Sequence, residues 1–256
     1  MTQAEQVFNE AFFRTMASWG SILSFRTTVE SGLPAAKQVI EQRNRAFIKD
    51  QLSREDSMIR RDKMTPDSAK MLIATITDST IAQAQASVDA ASIVFMHSVL
   101  DAAALDYCRV TALSAPHEWE EVLKERKVNL IDVRGTTFDQ LFQKTLDRYF
   151  EGLERESLLW KIDLIYKMCP LPKGAPSEVN VKGGYIFDRG RLATIDDLRH
   201  GIIHGTRLGR PINNAFEDLE YMLHTTTHLL TLVARRFGLK LDPADAQRYF
   251  SQSPKS

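Results

Sequence analysis

Cysteine is nearly absent from this 256-residue chain: Cys108 and Cys169 are the two present, far apart and without paired-ligand spacing. That excludes a disulfide framework and a cysteine-rich metal knot, and it fits a reduced, intracellular protein. Net charge is also missing, since 33 basic residues balance 33 acidic ones. No whole-molecule field draws such a chain onto nucleic acid, so any contact of that kind must come from a local patch. No unbroken apolar run is long enough for a membrane span. The N-terminus has no basic start followed by an apolar block, so no secretory signal is expected and a cytoplasmic location, with no membrane partner, follows. The HExxH metalloprotease pattern is absent, because Gly201 stands where its glutamate would be, and so are the Glu-x-x-His pairs of di-iron bundles. There is no internal repeat, low-complexity tract or series of strand patterns.

What remains is helical periodicity, and the expected class is all-α. Phe8, Phe12, Met16, Trp19 and Leu23 recur every three or four residues, the mark of a helix that buries one face on the body of the protein or on another subunit. That helix is expected to break at Gly32-Leu33-Pro34, with a charged, solvent-facing helix following to about residue 62. Thr65-Pro66 opens a third segment reaching about Leu113, with a break expected near Thr77-Asp78. Its stripe Ile93, Met96, Leu100, Ala103, Tyr107 and a neighbouring one, Val88, Phe95, Val99, Ala102, together cover so wide an arc that this helix should be central. A polar region follows Pro116. Residues from Thr137 to Tyr166 continue an amphipathic stretch that stops before Pro170. The Pro- and Gly-rich segment 170–190 reads as a loop, with a short hairpin over Val179–Phe187. A short helix is expected over 194–205, N-capped by Thr194 and ended by Gly205, and a last long one over 213–237.

The short helix carries the chemistry. Leu198-Arg199-His200-Gly201-Ile202-Ile203-His204-Gly205 places an arginine and two of the chain's six histidines within six residues. A guanidinium grips phosphate through a planar fork of donors, and imidazole exchanges protons near neutral pH. Together they are the parts that phosphodiester cleavage without a metal requires. Five residues separate Arg199 from His204, about 140° around an ideal helix, so the two do not share a face, whereas His200 and His204 do. A second copy of the motif across a two-fold axis would complete a cleft. Around it lie more cations than carboxylates: Lys173, Lys182, Arg189, Arg191, Arg207 and Arg210 against Glu178, Asp188, Asp196 and Asp197. With Tyr185 and Phe187 for base stacking, they form a candidate RNA-binding rim.

This motif resembles the active-site pattern of the HEPN superfamily, whose ribonuclease members carry Arg, a polar residue, three variable residues and His, often followed by Gly. Its place late in a helical domain, before a final long helix, is similar too, and Asp101, in Met96-His97-Ser98-Val99-Leu100-Asp101, matches an acidic residue many members carry on an earlier buried helix. The resemblance covers about 85–237. The chain is thus expected to hold a HEPN-like helical bundle over 81–240, with a helical extension over 1–80 outside the resemblance, a dimerisation or regulatory arm, and a tail over 241–256. The resemblance implies a metal-independent endoribonuclease without cofactor, dimeric through the motif helices. His204 would act as general base or acid, Arg199 would hold the scissile phosphate, and His200 would orient these groups or share the proton work, with Asp101 in support. The products would be 2′,3′-cyclic phosphate and 5′-hydroxyl ends. Members serve as toxins or in antiviral defence, so an antitoxin or defence-system protein is an implied partner. Thr206 stands where one toxin subgroup carries a modifiable Tyr, so that control is not available here.

Two other readings compete. A helical module could bind RNA or a protein without catalysis. A histidine metal site could form if the His200/His204 and His224/His228 pairs, both at i,i+4 spacing, converged.

Overall fold

The computed structural model describes residues 2–54, 64–124, 137–170, 187–207 and 209–244. Among them are seven helices and no strand, so the protein is all-α: α1 (Gln3–Ser53), α2 (Pro66–Ser114), α3 (Pro116–Leu123), α4 (Phe138–Leu153), α5 (Leu158–Met168), α6 (Arg189–Ile203) and α7 (Ala215–Phe237).

Two expected breaks do not occur. α1 runs straight through Pro34. Proline removes one backbone donor, but Pro34 lies on an exposed face, where water can serve the carbonyl one turn earlier. α2 continues through Thr77 and Asp78, whose side chains are tied to α1: Asn44 Nδ2 donates to Thr77 Oγ1 at 3.0 Å, and Lys37 pairs with Asp78 at 2.8 Å. Conversely, the single stretch expected from Thr137 to Tyr166 is two helices. Thr137 and Gln140 form a reciprocal capping box at the start of α4, and Ser157 caps α5 by accepting from the Trp160 amide at 3.2 Å. The polar region after Pro116 opens with a helix, α3, carrying that proline in its first turn.

The chain divides into two compact units whose segments interleave: Met1–Trp19, Phe95–Asp197 and Glu217–Ser256 in one, Gly20–Val94 and Leu198–Phe216 in the other. A boundary near residue 80 would fall inside α2.

The first unit holds the larger core. Met96, Leu100, Ala103 and Tyr107 are fully buried, as expected of the central stripe, while Phe95, from the neighbouring one, is half-exposed. Trp119 of α3 packs edge-on to Tyr149 of α4, ring centroids 5.7 Å apart, and donates through Nε1 to Thr111 of α2 at 3.2 Å. The beginning of the tail is tied to α1, with the Asp242 amide donating to Asn9 Oδ1 at 3.0 Å. In the second unit α1 and α2 run antiparallel, shown by the pairings of Arg26 with Asp89 and of Lys37 with Asp78. The first of these is buried, at 2.6 Å.

The aromatic stripe of α1 is buried only in part: Phe8 is enclosed, and Phe13, outside the stripe, is buried as well. Ala4, Phe8, Ala11, Thr15, Ile22 and Arg26 point inward, while Met16 is exposed and Phe12 and Leu23 are half-buried. α2 contains a window of 18 residues with mean hydropathy 1.5, enough by length and composition to cross a membrane; 61% of that window is buried within the protein.

Candidate functional site

α6 starts earlier than Thr194. Asp188 is its cap: Oδ1 accepts from the amides of Gly190 at 2.8 Å and Arg191 at 3.1 Å. The Tyr221 hydroxyl holds the same residue from α7, accepting from the Asp188 amide and donating to its carbonyl, both at 2.8 Å. Thr194 instead bonds back to the Gly190 carbonyl within the helix at 3.0 Å. Farther along, His97 Nε2 lies 3.0 Å from an Asp196 carboxylate oxygen, with His97 buried. These contacts belong to the first unit and fix the leading turns of α6.

The motif occupies the trailing turns, in the second unit. The chain leaves the helix after Ile203 and reverses through Gly205, whose φ of +74° is the left-handed conformation that favours glycine. The end is closed by three bonds. The Gly205 amide donates to the Ile202 carbonyl at 3.0 Å, and the Gly201 carbonyl accepts from Thr206 Oγ1 at 3.0 Å and from the Arg207 amide at 3.1 Å. Gly201 sits inside a helix, where glycine costs about 0.5–1 kcal/mol relative to alanine. Here the missing side chain is used: a Cβ on Gly201 would meet Arg207 Cγ at 2.9 Å and Thr206 Oγ1 at 3.2 Å.

His200 and His204 come together, with ring centroids 4.6 Å apart and planes inclined by 50°. Both are exposed, as are Arg207 and Arg210, and Arg199 is half-buried. The Arg210 amide donates to the Arg207 carbonyl at 3.2 Å, so both arginines belong to one turn. Two accessible imidazoles on a segment that also carries Arg199, Arg207 and Arg210 are groups able to hold an anion and exchange protons with it.

The other expected site residues are placed differently. Arg189 forms an ion pair with Asp163, which raises its pKa, and Arg191 pairs with Asp218 at 2.9 Å while stacking over Tyr221. Both lie in the first unit and are already matched by carboxylates. Asp101 belongs there too and receives the ammonium of Lys161 at 2.7 and 2.8 Å, with Lys161 only 1% exposed. Sequence reading passed over Lys161; a lone lysine in the apolar run Leu158–Ile165 was the available signal. Lys182 and Tyr185, with most of the expected hairpin, lie outside the described residues.

His228 is a core residue. Fully buried, it meets the Tyr166 hydroxyl at 2.7 Å through Nε2 and stacks on Phe187, and burial pulls its pKa down to about 4. Phe187 is therefore engaged inside the first unit. Among the described residues no three His, Cys, Asp or Glu side chains converge as metal ligands. Both cysteines are buried, which pushes the Cys169 thiol up to about 12 and Cys108 higher still, away from nucleophilic use.

Comparison of the chain with protein-family models, with curated proteins and with solved structures finds no match. What the motif can do therefore rests on its own residues.

Proposed function

We propose that this protein is a metal-independent endoribonuclease of HEPN type, acting through Arg199, His200 and His204 as a homodimer that brings two motif helices together. The observation that carries the reading is the exposed imidazole pair, 4.6 Å apart, at the end of α6. General acid–base catalysis requires imidazoles that substrate can reach, and both rings are exposed. One imidazole removes the proton of an RNA 2′-hydroxyl, and the 2′-oxygen attacks the adjacent phosphorus. The other imidazole protonates the departing 5′-oxygen. Arg199 balances the charge that develops on the non-bridging phosphate oxygens. The ends produced are a 2′,3′-cyclic phosphate and a 5′-hydroxyl. A role in toxicity or antiviral defence, and an inhibitory partner protein, belong to the same proposal.

His204→Ala separates catalysis from mere binding. The expected result is loss of RNA cleavage by at least about a hundredfold, with the helical circular dichroism and the affinity for RNA retained. Cleavage undiminished in His204→Ala would assign the protein to the non-catalytic helical modules.

A further inference from the structure

Gly201 differs from three other helical glycines, and from Gly190, whose added Cβ would meet only the Asp188 carboxylate oxygen at 3.2 Å. Cβ atoms on Gly20, Gly32 and Gly152 would meet nothing within 4 Å. On Gly201 the added atom would meet the stem of Arg207 at 2.9 and 3.8 Å as well as Thr206 Oγ1. The near atom is Arg207 Cγ; with the Arg207 backbone held by its amide's bond to the Gly201 carbonyl, relief of the contact requires rotation about the Arg207 Cα–Cβ bond, which redirects the whole side chain. Gly201 thus fixes where the Arg207 stem crosses the end of α6. Gly201 follows His200 directly and precedes His204 by three residues, so the crossing borders the helix face of the imidazole pair, and the Arg207 side chain is exposed there.

We infer that Gly201 is the seat of Arg207, and that Arg207 is a second phosphate-gripping residue of the site, holding the phosphate adjacent to the one that is cut. The inference rests on the nuclease reading for the word "cut". At about 100° per residue, Arg199 lies to one side of the helix face that carries His200 and His204, and Gly201, over which the Arg207 stem crosses, lies to the other, so a strand laid along that face has an arginine position on either side. The site then prefers a chain with at least two phosphates over a dinucleoside monophosphate, which offers only one. Gly201 acts through Arg207 and is a positioning residue.

The test compares wild type with Gly201→Ala, Arg207→Ala and the double variant, and uses Arg45→Ala, on α1, as a control for loss of one surface cation. Binding of a fluorescent, uncleavable 2′-methoxy hexanucleotide is followed by anisotropy across a salt series. Each single variant is expected to weaken binding about tenfold at low salt and to lower the slope of log affinity against log salt by about one; the double variant is no worse, and Arg45→Ala leaves the slope as in wild type. On cleavable RNA the variants raise KM more than they lower kcat, and the loss is several-fold smaller on a dinucleoside monophosphate. Gly201→Ala replaces glycine by a better helix former, so its melting temperature reports folding directly; if it fails to fold, Arg207→Ala alone decides. An unchanged salt slope in Arg207→Ala, or equal losses on long and short substrates, overturns the inference. If wild type cleaves no RNA but the slope falls as stated, the nuclease reading fails while the phosphate grip of Arg207 stands.

Discussion

Burial assigns opposite tasks to the histidines of α6 and α7. His200 and His204 stand in solvent, while His228 is enclosed by Tyr166 and Phe187 and stays neutral down to about pH 4. Its folded pKa lies below the 6.5 of the unfolded chain. Between those values the unfolded state takes up a proton that the folded state refuses, so stability falls as pH drops from 6.5 toward 4 and is insensitive to this group above 6.5. The limit of that loss is roughly 3 kcal/mol. Urea midpoints measured from pH 7 to pH 4 should therefore decline in wild type and decline less in His228→Gln; parallel curves would show that His228 does not carry the acid sensitivity. Asp101 poses a different residue-scale question, since its carboxylate neutralises a lysine with almost no access to water. Asp101→Asn should cost about 3 kcal/mol in urea unfolding, because it strands a buried charge, and adding Lys161→Met should restore much of it. If Asp101→Asn unfolds like wild type, the pair is not the anchor its burial suggests.

At the scale of elements, the helices were legible wherever periodicity and caps agreed, and misread where one residue type was given too much weight. Thr137 announced α4 through its capping box with Gln140, and Pro170 marked where α5 has ended. Pro34 announced a break that tertiary pairing along α1 and α2 overrides. Its cost should still be measurable: Pro34→Ala restores a backbone donor and should raise the melting temperature, by an amount equivalent to at most about 3 kcal/mol. A lowered melting temperature would mean that the proline is needed for the path of α1. The aromatic stripe of α1 misled for a related reason. Its inward positions include Ala11, Thr15 and Arg26, small or polar residues that a search for large apolar side chains passes over. The start of α6 was missed because Asp188 was counted as a loop charge, whereas its carboxylate caps the helix and its backbone is held by Tyr221. At the motif, the i,i+4 spacing correctly put His200 and His204 side by side. The use of Gly201 was not legible, because it depends on a chain reversal that no local pattern specifies.

For the whole molecule, what matters is that the two ends of α6 answer to different units. The leading turns carry the contacts with Asp188, Tyr221 and His97, while the trailing turns and the reversal after them expose His200, His204, Arg207 and Arg210. Cations expected to act together are divided in the same way. Arg189 and Arg191 are paired with Asp163 and Asp218 in the first unit, so the phosphate-binding charge left to the proposed site is concentrated within the few residues around the motif. A neutral protein with so local a cationic cluster should bind RNA weakly, lose that binding in salt, and depend on chemistry rather than affinity for its effect. The most direct test is therefore chemical. Purified full-length protein is incubated with a 5′-labelled RNA in excess chelator, and the new ends are analysed. The expected result is cleavage that persists in chelator, leaves 2′,3′-cyclic phosphate and 5′-hydroxyl ends, and disappears in His204→Ala. Intact RNA, or fragments bearing 5′-phosphates, would contradict it.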